Sequence, residues 1–226
     1  MRSRPSATER PRSVGARVNL GIKAKNGVVI CAEKKLVSSL IDETSYCKVQ
    51  PLSQEIGATY AGLSPDFFVT MKKARKEAFT FFQKYEEPIS AYFLCKETAK
   101  MMQEFTQMGG VRPFGVSLLM AAFDEQGPQL YQVDPSGSYF GWKATAIGKN
   151  MVSAKNYLEK RYQPDMDVDD AVHHALLTLK ESFEGELTER NVDVGIAREY
   201  DVGGKKKREF RVLSQAEIKN YLEEAS

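Results

Sequence analysis

Histidine is almost missing from this sequence: 226 residues contain two, at the adjacent positions His173 and His174. Neighbours on a helix cannot both point inward, and a two-histidine metal site wants a spacing of three or four, so no metal centre is expected. No cofactor is expected either. Cysteine is scarce as well. Cys31, Cys47 and Cys95 make an odd count with no Cys-x-x-Cys, which reads as free thiols in a reducing compartment rather than a disulfide frame or a zinc site. No apolar run approaches the roughly 20 residues of a membrane-spanning helix. A charge excess is lacking too: 32 basic residues against 30 acidic ones leave +2, without the basic surplus of a dedicated nucleic-acid binder. Neither nucleic acid nor membrane is expected as a partner.

Familiar catalytic signatures fail when tested. Gly148-Lys149-Asn150 suggests a phosphate loop, but the glycine due five residues before Gly148 is Lys143, and Asn150 stands where Ser or Thr would hold magnesium. A helix start explains the tripeptide better. No Gly-x-Ser-x-Gly elbow exists, since Ser117 lies in an apolar run and Ser136 in a turn. His173 and His174, near Asp169 and Asp170, read as the solvated side of an amphipathic helix. Glu223-Glu224 is surface charge.

Residues 1–17 form an atypical segment with Arg2, Arg4, Arg10, Arg12 and Arg17 against the single acid Glu9. Such a composition fits a mitochondrial transit peptide. The stretch between Met1 and Val14 has almost no apolar residues to build an amphipathic helix, so a disordered tail is the better reading. Residues 18–226 show no repeat or linker and read as one domain.

What is present is a strict ordering of patterns. Residues 18–25 and 28–32 flank Asn26-Gly27, a pair suited to a type I′ hairpin turn. Residues 56–61 make another strand. From Pro65, apolar residues at Phe67, Met71, Ala74, Ala78, Phe81 and Tyr85 mark one face of a long helix, broken at Glu87-Pro88. Ser90 can cap a second helix with the stripe Leu94, Thr98, Met101 and Phe105, stopped by Gly109-Gly110. Residues 114–123 are apolar on both alternating sets, as in a strand covered on both faces. Residues 129–133 return across Gln126-Gly127-Pro128, Asp134-Pro135-Ser136-Gly137 suits a type I turn, and 139–147 read as the next strand. Two more helices follow, with Met151, Ala154, Leu158 and Arg161 on one and Val168, Val172, Ala175, Leu179 and Phe183 on the other. Residues 192–199 and 210–213 are strands around a basic tip at 203–208, and Ser214 with Glu217 makes a capping box for a last helix. Hairpins apolar on both faces, alternating with helix pairs, predict an α+β fold. Two antiparallel sheets pack face to face between helical layers, a four-layer αββα sandwich.

Several blocks resemble a known family in their order along the chain. They are Gly109-Gly110-Val111-Arg112-Pro113-Phe114-Gly115, then Asp134-Pro135-Ser136-Gly137-Ser138-Tyr139-Phe140-Gly141-Trp142-Lys143, and Gly148-Lys149-Asn150. Gly21 to Val29, Glu33-Lys34-Lys35, Tyr60-Ala61-Gly62-Leu63-Ser64-Pro65-Asp66, Leu158 to Tyr162 and Leu179 to Gly185 add to them. Together they are similar to α-type subunits of the proteasome core particle, from about Val18 onward, and imply the N-terminal-nucleophile hydrolase-like fold. The Tyr- and Ser-containing gate segment and first helix of that family have no match in residues 1–17.

β-type members of the family cut peptides with an N-terminal threonine, whose hydroxyl attacks while its own amine serves as base. Counted back from Gly27, Arg17 falls where that threonine would stand, and no Gly-Thr junction lies upstream. Lys48 matches the β-type active-site lysine. The resemblance thus implies a non-catalytic subunit with no catalytic residue. It also places Lys48 in a pocket between adjacent α-type subunits that receives the C-terminal carboxylate of activators, with Gly62 and Leu63 on its wall. On residue type alone, Lys48 fits an ordinary exposed lysine and Gly62-Leu63 a plain strand-to-helix turn.

The implied partners are six other α-type subunits in a seven-membered ring, the β-type ring, regulatory activator particles and unfolded substrates in transit. The implied location is cytoplasm and nucleus. Two other readings stay open: a self-processing N-terminal-nucleophile hydrolase, and an interaction module using Gly203 to Arg208 for nuclear import or an acidic partner.

Overall fold

The computed structural model describes residues 17–34, 40–42, 45–183 and 187–224. Residues 1–16 of the expected tail, and Lys35, Glu184 and Gly185 of the quoted blocks, lie outside the described residues.

Two five-stranded antiparallel sheets face each other. One has the order β10 (Lys205–Val212), β9 (Val192–Val202), β2 (Gly27–Glu33), β1 (Asn19–Lys23) and β8 (Ala144–Ile147). The other runs β3 (Gln50–Pro51), β4 (Ile56–Gly62), β5 (Val116–Asp124), β6 (Gly127–Val133) and β7 (Tyr139–Gly141). Helices α3 (Met151–Arg161), α4 (Val168–Ser182) and α5 (Gln215–Glu224) cover the first sheet; α1 (Ser64–Tyr85) and α2 (Ala91–Gln107) cover the second.

Strand alternation builds the layers. In β5, Leu118, Met120 and Ala122 join Phe67, Met71, Leu94 and Met102 under the first helix pair, while Ala121 joins Val28, Ile30 and Ala197 between the sheets. In β1, Leu20 and Ile22 face α4, and Asn19 points the other way, to the Tyr60 carbonyl of β4. The αββα sandwich is as the sequence predicts. α1 and α2 are antiparallel, since Phe81 meets Phe93 near one end and Lys73 meets Phe105 near the other. The Ser90 hydroxyl accepts from the Phe93 amide, and Ser214 with Glu217 forms the reciprocal cap of α5.

Three local expectations are corrected. Neither Asn26 nor Gly27 has a positive φ, so the first hairpin is not closed by a type I′ turn. Instead the Ala24 amide donates to the Gly27 carbonyl, and Asn26 Oδ1 accepts from the Val168 amide at the start of α4. Gly27 is small for a different reason: a Cβ there would lie 2.5 Å from Val168 Cγ2 and 2.6 Å from the Ala197 carbonyl. The type I′ pattern occurs at Gly203-Gly204, where both φ values are positive (61° and 81°) and Val202 pairs with Lys205. The basic tip is therefore two glycines, and 205–208 belong to β10. Finally, 139–147 is two strands in different sheets. The chain crosses at Trp142-Lys143, whose backbone groups bond Leu130 in one sheet and Lys23 in the other.

No helix among the described residues is long and apolar enough to cross a membrane.

Candidate functional site

Lys48 precedes β3 by two residues and lies against β1, β2, β4 and β9 through its hydrogen bonds and ring contact. It is 5% exposed, so the expectation of an ordinary surface lysine does not hold. Its amide donates to Asp193 Oδ2 at 2.7 Å, which fixes the backbone. Its ammonium donates to the Glu33 carbonyl at 2.9 Å and to Asn19 Oδ1 at 3.3 Å, and lies 5.6 Å from the Tyr60 ring centroid. Those are neutral acceptors. An ammonium has three N–H donors, and the third has no hydrogen-bond acceptor among the described residues.

Carboxylates stand close but are engaged elsewhere. Glu33 pairs with Arg17 at 3.2 Å and accepts weakly from the Val18 amide at 3.4 Å. Asp193 pairs with Lys34 at 2.7 Å. Burial drives the Lys48 ammonium down to about 8; Glu33 and Asp193 oppose this, and Arg17 adds to it. Desolvation thus wins over two nearby negative charges, because neither touches the ammonium.

Asn19, fully buried, ties the cluster together. Its Nδ2 donates to the Tyr60 carbonyl at 2.8 Å and to the Arg17 carbonyl at 3.0 Å. Tyr60 stacks on Phe67, ring centroids 4.0 Å apart, and its hydroxyl bonds Ser64 Oγ at 2.6 Å. The end of β4 is thereby anchored to the first turn of α1. Gly62 and Leu63 occupy that junction. Gly62 has φ +134°, and a Cβ would sit 2.2 Å from the Gly115 carbonyl. Leu63 donates its amide to the same carbonyl, while its side chain stays half-exposed. Gly62 and Leu63 thus form the strand-to-helix turn read from the sequence. They are joined to Lys48 through Asn19 and Tyr60 rather than by any direct hydrogen bond among the described residues.

At the position matched to a nucleophilic threonine, Arg17 presents a guanidinium committed to Glu33. Its carbonyl passes over Gly148, where a Cβ would meet it at 2.1 Å, and Gly148 takes φ +97°. Gly148 serves this close approach, and Asn150 follows as the left-handed N-cap of α3.

Sequence reasoning missed Asn19, Glu33 and Asp193 as site residues. Glu33 stood in a quoted block without a role, and Asp193 is 145 positions from Lys48. The one available signal was a polar residue beside or within an apolar run: Asn19 before Leu20, Glu33 after Ala32, and Asp193 between Val192 and Val194. Asp66 was missed too: it accepts two 2.7 Å bonds from Arg112 and one of 2.8 Å from the Gly115 amide, clamping the turn that carries Leu63.

The family profile described as Proteasome subunit matches residues 15–197. Proteasome subunit alpha type-2 of Oryza sativa subsp. japonica is 58% identical over 206 residues, 91% of this chain and 85% of its own length. The protein of that name from Dictyostelium discoideum is 57% identical over 203 residues, covering 90% and 84%. Probable proteasome subunit alpha type-2 of Schizosaccharomyces pombe is 52% identical over 211 residues, covering 91% and 86%. Fold, block order and these identities agree, and the chain belongs to the proteasome subunit family, among its α-type members.

Proposed function

We propose that this chain is a structural α-type subunit of a proteasome core particle, with no peptidase activity of its own. It joins six other α-type subunits in a seven-membered ring, stacks on the β-type ring, restricts passage to unfolded chains and docks activators. It works in the cytoplasm and nucleus, where the buried free thiols Cys31 and Cys95 suit a reducing environment.

The observation that carries this reading is the state of Lys48. A buried ammonium is stable only when its donors are satisfied or its charge is paired. Lys48 has two neutral acceptors and no carboxylate within ion-pair distance among the described residues. No hydroxyl or thiol nucleophile stands at Arg17 for the ammonium to assist. What the ammonium can still do is receive an oxygen anion on its remaining N–H, as a chain-terminal carboxylate offers. Leu63, half-exposed on the turn linked to Lys48 through Asn19 and Tyr60, offers an apolar surface to the residue before that carboxylate.

The test uses assembled core particles containing this chain. Activator-derived peptides with a free C-terminal carboxylate bind, their amides bind at least about tenfold more weakly, and Lys48→Met removes the difference. Equal binding of acid and amide to unaltered particles would show that Lys48 is not a carboxylate receptor.

A further inference from the structure

The Asn19 side chain joins three parts of this site: the Lys48 ammonium, the end of β4 and the Arg17 backbone. It is 0% exposed, and both its polar atoms are in use. The amide nitrogen holds the Tyr60 carbonyl, two residues before Gly62, and the Arg17 carbonyl; the amide oxygen holds the Lys48 ammonium. Its neighbours in β1, Leu20 and Ile22, already supply the apolar contacts to α4. An apolar residue at 19 would fit the space between the sheets but would release three polar groups at once. Asn is also neutral: it orients the ammonium without neutralising it. An aspartate has almost the same shape and would pair with Lys48 and fill its charge.

We propose that Asn19 is a positioning residue that holds the Lys48 ammonium in register with the Gly62–Leu63 turn, and so decides how tightly a chain-terminal carboxylate is held there. The inference rests on the docking reading above and assigns it a residue that does not itself meet the ligand. The groups that face Lys48 from the surrounding elements are Glu33 on β2, Asp193 on β9, the Tyr60 ring on β4 and Arg17 before β1. Lys34 pairs with Asp193, and Arg17 pairs with Glu33. The Asn19 dipole is thus the contact most open to adjustment without disturbing an ion pair.

The experiment measures peptide acid and peptide amide binding to assembled particles from pH 6.5 to 9.5, with Asn19 unaltered, Asn19→Asp and Asn19→Ala. In unaltered particles the carboxylate-specific part of binding falls as pH rises through about 8, where Lys48 loses its charge. Asn19→Asp raises that midpoint, and at pH 7 weakens acid binding by about tenfold, because the new carboxylate competes with the ligand. Asn19→Ala lowers the midpoint by removing an acceptor from the charged form. Opposite movements of the midpoint support a positioning role, since a purely structural role would weaken both variants without moving it. An identical midpoint in all three proteins overturns the proposal. If acid and amide bind unaltered particles equally, the docking reading fails, and the proposal with it. Should Asn19→Asp not assemble, the pH dependence of Lys48 acetylation, read by mass spectrometry on the full chains of Asn19→Ser and unaltered protein, decides the same point: a common midpoint refutes it.

Discussion

Arg112 grips Asp66 with two parallel 2.7 Å bonds, across 46 residues of sequence, and so pins the first turn of α1 to the segment leading into β5. Arg112 holds the Asp66 carboxyl below the usual carboxylate range, against the opposing effect of burial. A depressed carboxylate stabilises the fold above its unfolded value and loses that contribution as pH falls through its folded one. Arg112 is 63% exposed, so solvent screening limits the gain. Arg112→Ala is expected to cost about 1 kcal/mol at neutral pH. The gap in urea unfolding should narrow as pH falls below the ordinary 3.8 of Asp66 and through its lower folded value, where the carboxyl is protonated in both proteins.

Lys48 gives a pH dependence of the opposite kind. Its folded value, about 8, lies below the ordinary 10.5. Between those values the unfolded chain binds a proton that the folded chain has released, so stability rises with pH across that window. Lys48→Met should lose this rise, a difference on the order of 2 kcal/mol between pH 7 and 10.5. Thermal melts of the two proteins across that range measure it. Parallel curves would mean that the ammonium is better solvated than its 5% exposure indicates.

Two glycines that look alike in sequence should respond differently. At Gly27, φ is not positive but space is absent, so Gly27→Ala is expected to cost about 1–3 kcal/mol by overpacking against Val168 and the Ala197 carbonyl. At Gly203, space is open but φ is +61°. Gly203→Asn, a residue that tolerates this conformation, should cost under about 1 kcal/mol, and Gly203→Val considerably more. Denaturant midpoints of the three variants give the ranking.

The capping box of α5 should show at low pH. The Ser214 amide and Arg211 hold the Glu217 carboxyl down to about 2. Its contribution is complete above the ordinary value of 4.5 and is lost as pH falls toward 2. Ser214→Ala should lower stability by about 1 kcal/mol at neutral pH. Hydrogen exchange of the α5 amides would localise the loss to that helix.

The architecture was readable because its causes are local. Alternation on both faces of β5 placed a sheet between layers, and stripes at spacings of three and four placed the helices. Turns were read less well. Asn26-Gly27 has the residues of a type I′ turn, yet α4 takes the Asn26 side chain for its own N-terminus, so a tertiary contact overrode the local preference. The break in 139–147 was invisible because the residue types of Trp142 and Lys143 carry no turn signal, yet the chain bends at Lys143 and the hydrogen-bond partners change sheet. Lys48 was placed by resemblance. That it is buried, and that Asn19 holds it, depends on residues brought together from four strands, which no spacing along the chain encodes.

We propose that this subunit keeps the hydrolase architecture without a group able to attack a peptide bond. The direct measurement is the intact mass of each chain after assembled particles react with a threonine-directed epoxyketone. The account predicts adducts on β-type chains and an unmodified mass for this one; a stoichiometric adduct on this chain would contradict it.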